Sequence, residues 1–108
     1  MKRGEVWCAG FDPAVGSEGR KTRPAVVVSN NAGNRHLARV VVVLLTGNTA
    51  RHYPGEALIT IAGKPGKAMA DQIMAADKAR LKSQLGELSK ADMGRVEDAM
   101  LVHLGMPR

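Results

Sequence analysis

The amino-acid sequence predicts a mainly β domain closed by a C-terminal helix (α+β), its strands forming a small, mostly antiparallel, twisted sheet or barrel. Three features predict it. Residues 40–45, Val-Val-Val-Val-Leu-Leu, are a short unbroken run, β-branched at its first four positions, the pattern of a strand buried on both faces. Residues 57–61 and 69–75 are apolar segments separated by Gly63-Lys64-Pro65-Gly66-Lys67, which reads as a turn joining a hairpin. Only the stretch after Ser89 repeats apolar residues at full helical spacing.

The remaining elements follow in chain order. Residues 5–11, Glu-Val-Trp-Cys-Ala-Gly-Phe, predict a first strand leading to Asp12-Pro13. A cationic loop over residues 16–23 runs into a second strand at 24–29, Pro-Ala-Val-Val-Val-Ser. Residues 30–34 read as a loop or a short helical turn, 77–81 as one helical turn, and 84–88 as a brief edge strand. Ser89 is a suitable N-cap for the final helix, with Asp92 placed to meet the N-terminal amides. Met93, Val96, Met100 and Leu104 give that helix an apolar stripe, suited to core or dimer packing more than to a ligand site. Gly105 and Pro107 stop it.

A chain of 108 residues supports one domain, spanning 1–108, with a core large enough to fold without metal or disulfides. Its single cysteine, Cys8, has no internal partner and fits a buried strand position in a reducing cytoplasm. No apolar stretch approaches membrane-spanning length, and the basic N-terminus lacks the apolar run of a signal peptide. The expected location is cytoplasmic. Net charge is +6, and residues 12–67 hold eight basic side chains against three acidic ones, a balance of +5. A polyanion or an acidic protein is the expected partner. One Trp, one Tyr and one Phe supply little for a base-stacking platform.

The loop between the first two strands, Gly16-Ser17-Glu18-Gly19-Arg20-Lys21-Thr22-Arg23, carries cations, a carboxylate and hydroxyls between two stiff strands. That chemistry suits a grip on a phosphodiester backbone. Arg23 stands out, because Pro24 restrains its backbone to extended geometry and so fixes where its guanidinium departs. Thr46 closes the apolar run of the central strand, where a hydroxyl can hydrogen-bond phosphate oxygens as charge develops.

Taken together, Arg3-Gly4-Glu5-Val6-Trp7, Phe11-Asp12-Pro13, Gly16-Ser17-Glu18, Thr22-Arg23-Pro24-Ala25-Val26-Val27-Val28-Ser29, the strand ending at Thr46, Ala70-Asp71-Gln72-Ile73 and Asp77-Lys78-Ala79-Arg80-Leu81 resemble the MazF/PemK family of toxin endoribonucleases (mRNA interferases). The resemblance covers essentially the whole chain in order. It implies an SH3-like barrel of the CcdB/PemK type, a homodimer, no cofactor or metal, and cleavage of single-stranded RNA at short sequences. It also implies the toxin half of a type II toxin–antitoxin system, neutralised by an acidic antitoxin protein.

In that light Arg23, Thr46 and Glu18 are the candidate catalytic residues, with Arg23 as an electrostatic stabiliser, since a guanidinium pKa above about 12 disfavours proton transfer. Glu18 is the candidate base if a dry groove raises its pKa. Ser17, Arg20, Lys21, Asn48, Arg51, His52, Asp71 and Gln72 are the candidate RNA-binding residues. One branch of the family has a histidine at the position of Ser17 and an arginine near Met69, so its histidine-based mechanism does not transfer to this chain. Adjacent strand positions face opposite ways, so only one of Asp71 and Gln72 is expected to meet RNA. His36 and His103 are expected to be structural or solvated.

Two alternatives belong to other classes. One is a non-enzymatic toxin of the same fold, of the CcdB type, acting on DNA gyrase; the C-terminal Gly105-Met106-Pro107-Arg108 lacks the Trp-Gly-Ile tail such a toxin uses. The other is an inactive RNA-binding homologue, which would bind RNA without cutting it.

Overall fold

The computed structural model describes residues 1–11 and 21–108, with the side chains of Phe11 and Lys21 excepted. Within them the chain forms β1 (Glu5–Phe11), β2 (Lys21–Val27), α1 (Asn31–His36), β3 (Arg39–Thr46), β4 (Glu56–Ile61), β5 (Lys64–Asp77), a single 3-10 turn (Lys78–Arg80), β6 (Leu81–Glu87) and α2 (Lys90–Leu104). The strands make one curled antiparallel half-barrel in the order β4-β5-β3-β2-β1-β6.

The β-branched run of β3 lies at the centre, paired with β2 on one side and β5 on the other. Its alternation divides the core. Val43 and Leu45, with Val26 of β2 and Val28 just beyond it, pack toward Met93, Val96 and Ala99 of α2. Val40, Val42 and Leu44, with Ala25 and Val27, pack on the opposite face beside Ala9, Met69 and Leu81. A strand with both faces covered explains why nearly every position in it is apolar.

The final helix begins as its sequence predicts: the Ser89 hydroxyl accepts the Asp92 amide at 3.0 Å, and Gly105 closes it at φ 69°. Asp92 does different work from that expected. Its carboxylate accepts the Thr60 amide of β4 at 2.9 Å and pairs with Arg95 at 2.6 Å, tying helix to sheet. Leu104, the last residue of the stripe, is half exposed. Cys8 is half-buried where a buried position was expected.

The segment Val28-Ser29-Asn30-Asn31 proves to be a hydrogen-bonded corner. Ser29 Oγ accepts the Val41 amide, Asn34 is buried and donates to the Ser29 carbonyl, and Asn30 caps α1 by accepting from Gly33. Arg3 fastens this corner to α2: its Nε donates to the Val28 carbonyl and its guanidinium pairs with Glu97 at 2.8 Å.

Several boundaries differ from the sequence reading, among them the following. β2 begins at Lys21, so the end of the cationic loop is already strand. β6 spans seven residues, longer than the brief edge strand expected. The β4–β5 turn is only Ala62-Gly63, flanked by the pair Ile61↔Lys64, and Lys64–Lys67 belong to β5. Both turn residues have positive φ, 49° at Ala62 and 82° at Gly63, the two-residue hairpin geometry that suits Asn-Gly. An alanine held there costs about 1–2 kcal/mol. Ala62→Asn is therefore expected to stabilise the domain by about 1 kcal/mol, raising the melting temperature by roughly 4 °C; an unchanged or lower melting temperature would contradict the turn assignment.

Candidate active site

The end of β1, the start of β2, the end of β3 and the start of β5 lie at one end of the sheet, because consecutive pairings are antiparallel. Arg23 and Thr46 both stand at that end. Ala25 pairs with Leu44, Val26 with Val43 and Val27 with Val42, so Arg23 and Thr46 stand at corresponding positions two residues beyond the last bonded pair. Strand period places Arg23 on the face of Ala25, and Thr46 on the face of Leu44. Both belong to the face turned away from α2. Arg23 is exposed, and no described carboxylate pairs with it.

Thr46 is half-buried, and its Oγ1 accepts the Asn48 amide at 3.2 Å. The hydroxyl uses one acceptor position locally and carries its own hydrogen as a donor. The close approach of β5 helps define this strand end. A Cβ on Gly66 would stand 2.9 Å from the Thr46 carbonyl oxygen and 2.8 Å from Ile61 Cδ1, so only glycine fits.

Other candidates are distributed as follows. Asn48 and Arg51 are exposed on the segment leaving Thr46, and the Asn48 side chain accepts the Ala50 amide at 3.0 Å. Asp71 is exposed and Gln72 half-buried, its Nε2 3.6 Å from Met69 Sδ. Both lie where β5 departs from regular pairing with β3. β3 pairs Val43 with Ile73 but Leu44 with Met69, so residues 70–72 are a bulge of extra residues in β5. His52 donates from Nε2 to the Glu56 carbonyl at 3.1 Å and lines a cavity of about 320 Å³ between β4 and α2, with Leu58, Arg95, Asp98, Val102 and Arg108; Thr46 is not among its walls. Glu18, Ser17 and Arg20 lie outside the described residues, as do Asp12-Pro13 and Gly16; Lys21 opens β2.

Sequence reasoning missed a buried charged cluster beside Thr46. Lys67 is the pairing partner of Thr46 on β5 and is 7% exposed. Its Nζ donates to Glu56 Oε1 at 2.9 Å and to the Arg51 carbonyl at 2.6 Å, and lies 5.8 Å from the Tyr53 ring centroid. Glu56 Oε1 also accepts the Tyr53 amide at 3.0 Å. Burial pushes the Glu56 carboxyl up, but the Lys67 and Tyr53 hydrogen bonds and the nearby positive charges together hold it below its ordinary value. A lysine that follows a Pro-Gly pair looks like a surface residue, and its burial becomes visible only once the sheet pairs it with Thr46.

Among the described residues, no group of three His, Cys, Asp or Glu side chains is arranged to hold a metal ion, and no helix is long and apolar enough to cross a membrane. Fold and strand end together define a small curled-sheet domain with an exposed guanidinium and a half-buried hydroxyl at one strand end.

Comparison with known proteins specifies this further. Residues 2–104 match the model of the PemK-like, MazF-like toxins of type II toxin–antitoxin systems. The chain is 38% identical over 116 residues to Endoribonuclease MazF9 of Mycobacterium tuberculosis, covering 98% of each. It superposes on an endoribonuclease from a mycobacterial species with a TM-score of 0.84 and 32% identity, covering 100% of this chain and 94% of the other. A mycobacterial endoribonuclease in complex with its cognate antitoxin gives a TM-score of 0.82 and 35% identity, covering 100% and 98%. This chain belongs to the PemK-like, MazF-like toxin family.

Proposed function

We propose that this protein is the toxin of a type II toxin–antitoxin pair, an endoribonuclease that cleaves single-stranded RNA at short sequences without a bound metal and so arrests translation. The observation that supports the reading is the 38% identity to an endoribonuclease, in a chain whose register puts Arg23 and Thr46 at corresponding positions of neighbouring strand ends. In the reaction the ribose 2′-oxygen attacks the adjacent phosphorus, the bond from phosphorus to the 5′-oxygen breaks, and the products are a 2′,3′-cyclic phosphate and a 5′-hydroxyl. A base takes the 2′-hydroxyl proton and an acid supplies one to the leaving oxygen. Arg23 holds the non-bridging oxygens through two parallel hydrogen bonds, and Thr46 Oγ1 donates a third as negative charge accumulates. Glu18 is the proposed base.

Asn48, Arg51 and one of Asp71 and Gln72 are the proposed RNA contacts, with Arg20, Lys21 and Ser17 gripping the backbone. His52, turned toward the β4–α2 cavity, is a weaker contact in this reading. The net charge of +6 favours an acidic antitoxin, and a related mycobacterial endoribonuclease has been solved with its own. The protein acts in the cytoplasm, where its RNA substrate is, as a homodimer.

A mixed RNA incubated with the protein in excess EDTA tests the reading. Discrete new ends bearing 5′-hydroxyls are expected. Retardation of the RNA without cutting would identify an inactive RNA-binding homologue and overturn the nuclease assignment.

A further inference from the structure

Lys67 is an unusual use of a lysine. Its side chain is 9% exposed and that of its partner Glu56 is 10% exposed, so both charges are almost withdrawn from water. Desolvating a charged pair seldom stabilises a fold more than apolar residues of similar volume would. The pair therefore calls for another account, and its geometry supplies one. Lys67 sits on β5 opposite Thr46, on the face that carries Arg23. From that fixed base its ammonium reaches across to the Arg51 carbonyl in the segment after Thr46, and Glu56 holds the Tyr53 amide in the same segment. The Glu56 amide returns a hydrogen bond to the Tyr53 carbonyl at 2.9 Å, and the Ala70 amide holds the Gly55 carbonyl at 3.0 Å. The segment from Asn48 to Gly55 has no strand partner of its own, and these bonds fasten its second half.

We propose that Lys67 is a positioning residue for substrate selection: with Glu56 it fixes the Arg51–Tyr53 backbone beside the Arg23–Thr46 strand end, and thereby decides which RNA nucleotides the segment accepts. This rests on the nuclease reading above. Lys67 touches no substrate itself. Its ammonium is spent on Arg51 and Glu56, and the exposed side chains of Asn48 and Arg51 present the polar groups that meet base edges. A tethered backbone is needed for this, because a contact displaced by about 1 Å loses most of its discrimination.

The test is the double variant Glu56→Leu/Lys67→Met, which removes the tether without leaving a buried charge unpaired. Glu56→Met/Lys67→Leu, equally free of an unpaired buried charge, carries the same expectation and stands in if the first double variant is unfolded by circular dichroism. Two measurements are made on the full chain. Hydrogen exchange at the Tyr53 and Glu56 amides is expected to quicken by at least about tenfold. Sequencing of 5′ ends on a long RNA is expected to show relaxed site choice, with the ratio of kcat/KM between the preferred site and its single-base variants falling by about tenfold or more. Glu56→Gln, which keeps an acceptor for both Lys67 and Tyr53, is expected to retain the wild-type preference. A folded variant with unchanged site preference overturns the proposal, and so does unchanged exchange at those amides. If the wild-type protein cuts no RNA, the nuclease reading fails and selection with it, while the exchange measurement still decides whether Lys67 tethers the segment.

Discussion

Arg23→Ala is expected to lower RNA cleavage by about 10²–10³-fold while leaving the domain folded. The size follows from the chemistry. Attack by the 2′-oxygen concentrates negative charge on the phosphorane oxygens, and the Arg23 guanidinium is the strongest stabiliser proposed for this strand end. The intact fold follows from the position of the residue. Arg23 is exposed, and no described carboxylate depends on it, so its removal is expected to change stability by no more than about 0.5 kcal/mol. Arg23→Lys distinguishes shape from charge: an ammonium keeps the charge but loses the planar fork, so partial activity is expected. Single-turnover cleavage beside a thermal melt measures both quantities. Full cleavage by folded Arg23→Ala would remove Arg23 from the reaction.

The elements legible in the sequence are those whose signal is local. The capped helix α2 carries its start at Ser89 and its stop at Gly105, and β3 carries its double burial in an unbroken apolar run. The strand-end location of Thr46 followed from that run. The family motifs were legible as well, although several of their residues hold the fold together: Arg3 pins the Val28 corner to α2, and Ser29 accepts the Val41 amide. What escaped was non-local. Lys64–Lys67 read as a turn because Pro and Gly are poor strand formers, yet β3 ends at Thr46 opposite Lys67. Residues 64–66 therefore have only β4 beside them, and Pro65 falls where a missing amide is tolerated. The bulge at residues 70–72 leaves no local trace, since it is defined by a shift of register against another strand. The Lys67–Glu56 pair joins two ordinary charged residues eleven positions apart, and only the sheet brings them together.

That pair gives the largest stability effect expected in the molecule. Glu56→Ala leaves the Lys67 ammonium with the Arg51 carbonyl but no counter-charge, and deprives the Tyr53 amide of its acceptor. Breaking one side of a buried ion pair costs about 3–5 kcal/mol, a large share of the roughly 5–15 kcal/mol that holds a domain of this kind together. Glu56→Leu/Lys67→Met removes both charges and is expected to be neutral or more stable than wild type by about 1–4 kcal/mol. Urea midpoints separate the two outcomes at neutral pH. Acid sharpens the comparison. Because the folded-state pKa of Glu56 is lowered from about 4.5, its ionised form contributes stability that is fully present above the unfolded carboxylate pKa and is lost as pH falls through the lower folded value. Wild type is therefore expected to lose stability from this group below about pH 4.5, and the double variant to show a shallower decline over the same window. Glu5, whose carboxyl is held low by the Lys2 amide and the Trp7 indole despite its partial burial, titrates in both proteins and cancels from the difference. Equal acid sensitivity in the two would mean that the Lys67–Glu56 bond contributes nothing to the folded state. A charged pair that can be replaced by apolar residues at no cost in stability, and with loss of site choice, is one whose place in the fold is owed to the segment it holds.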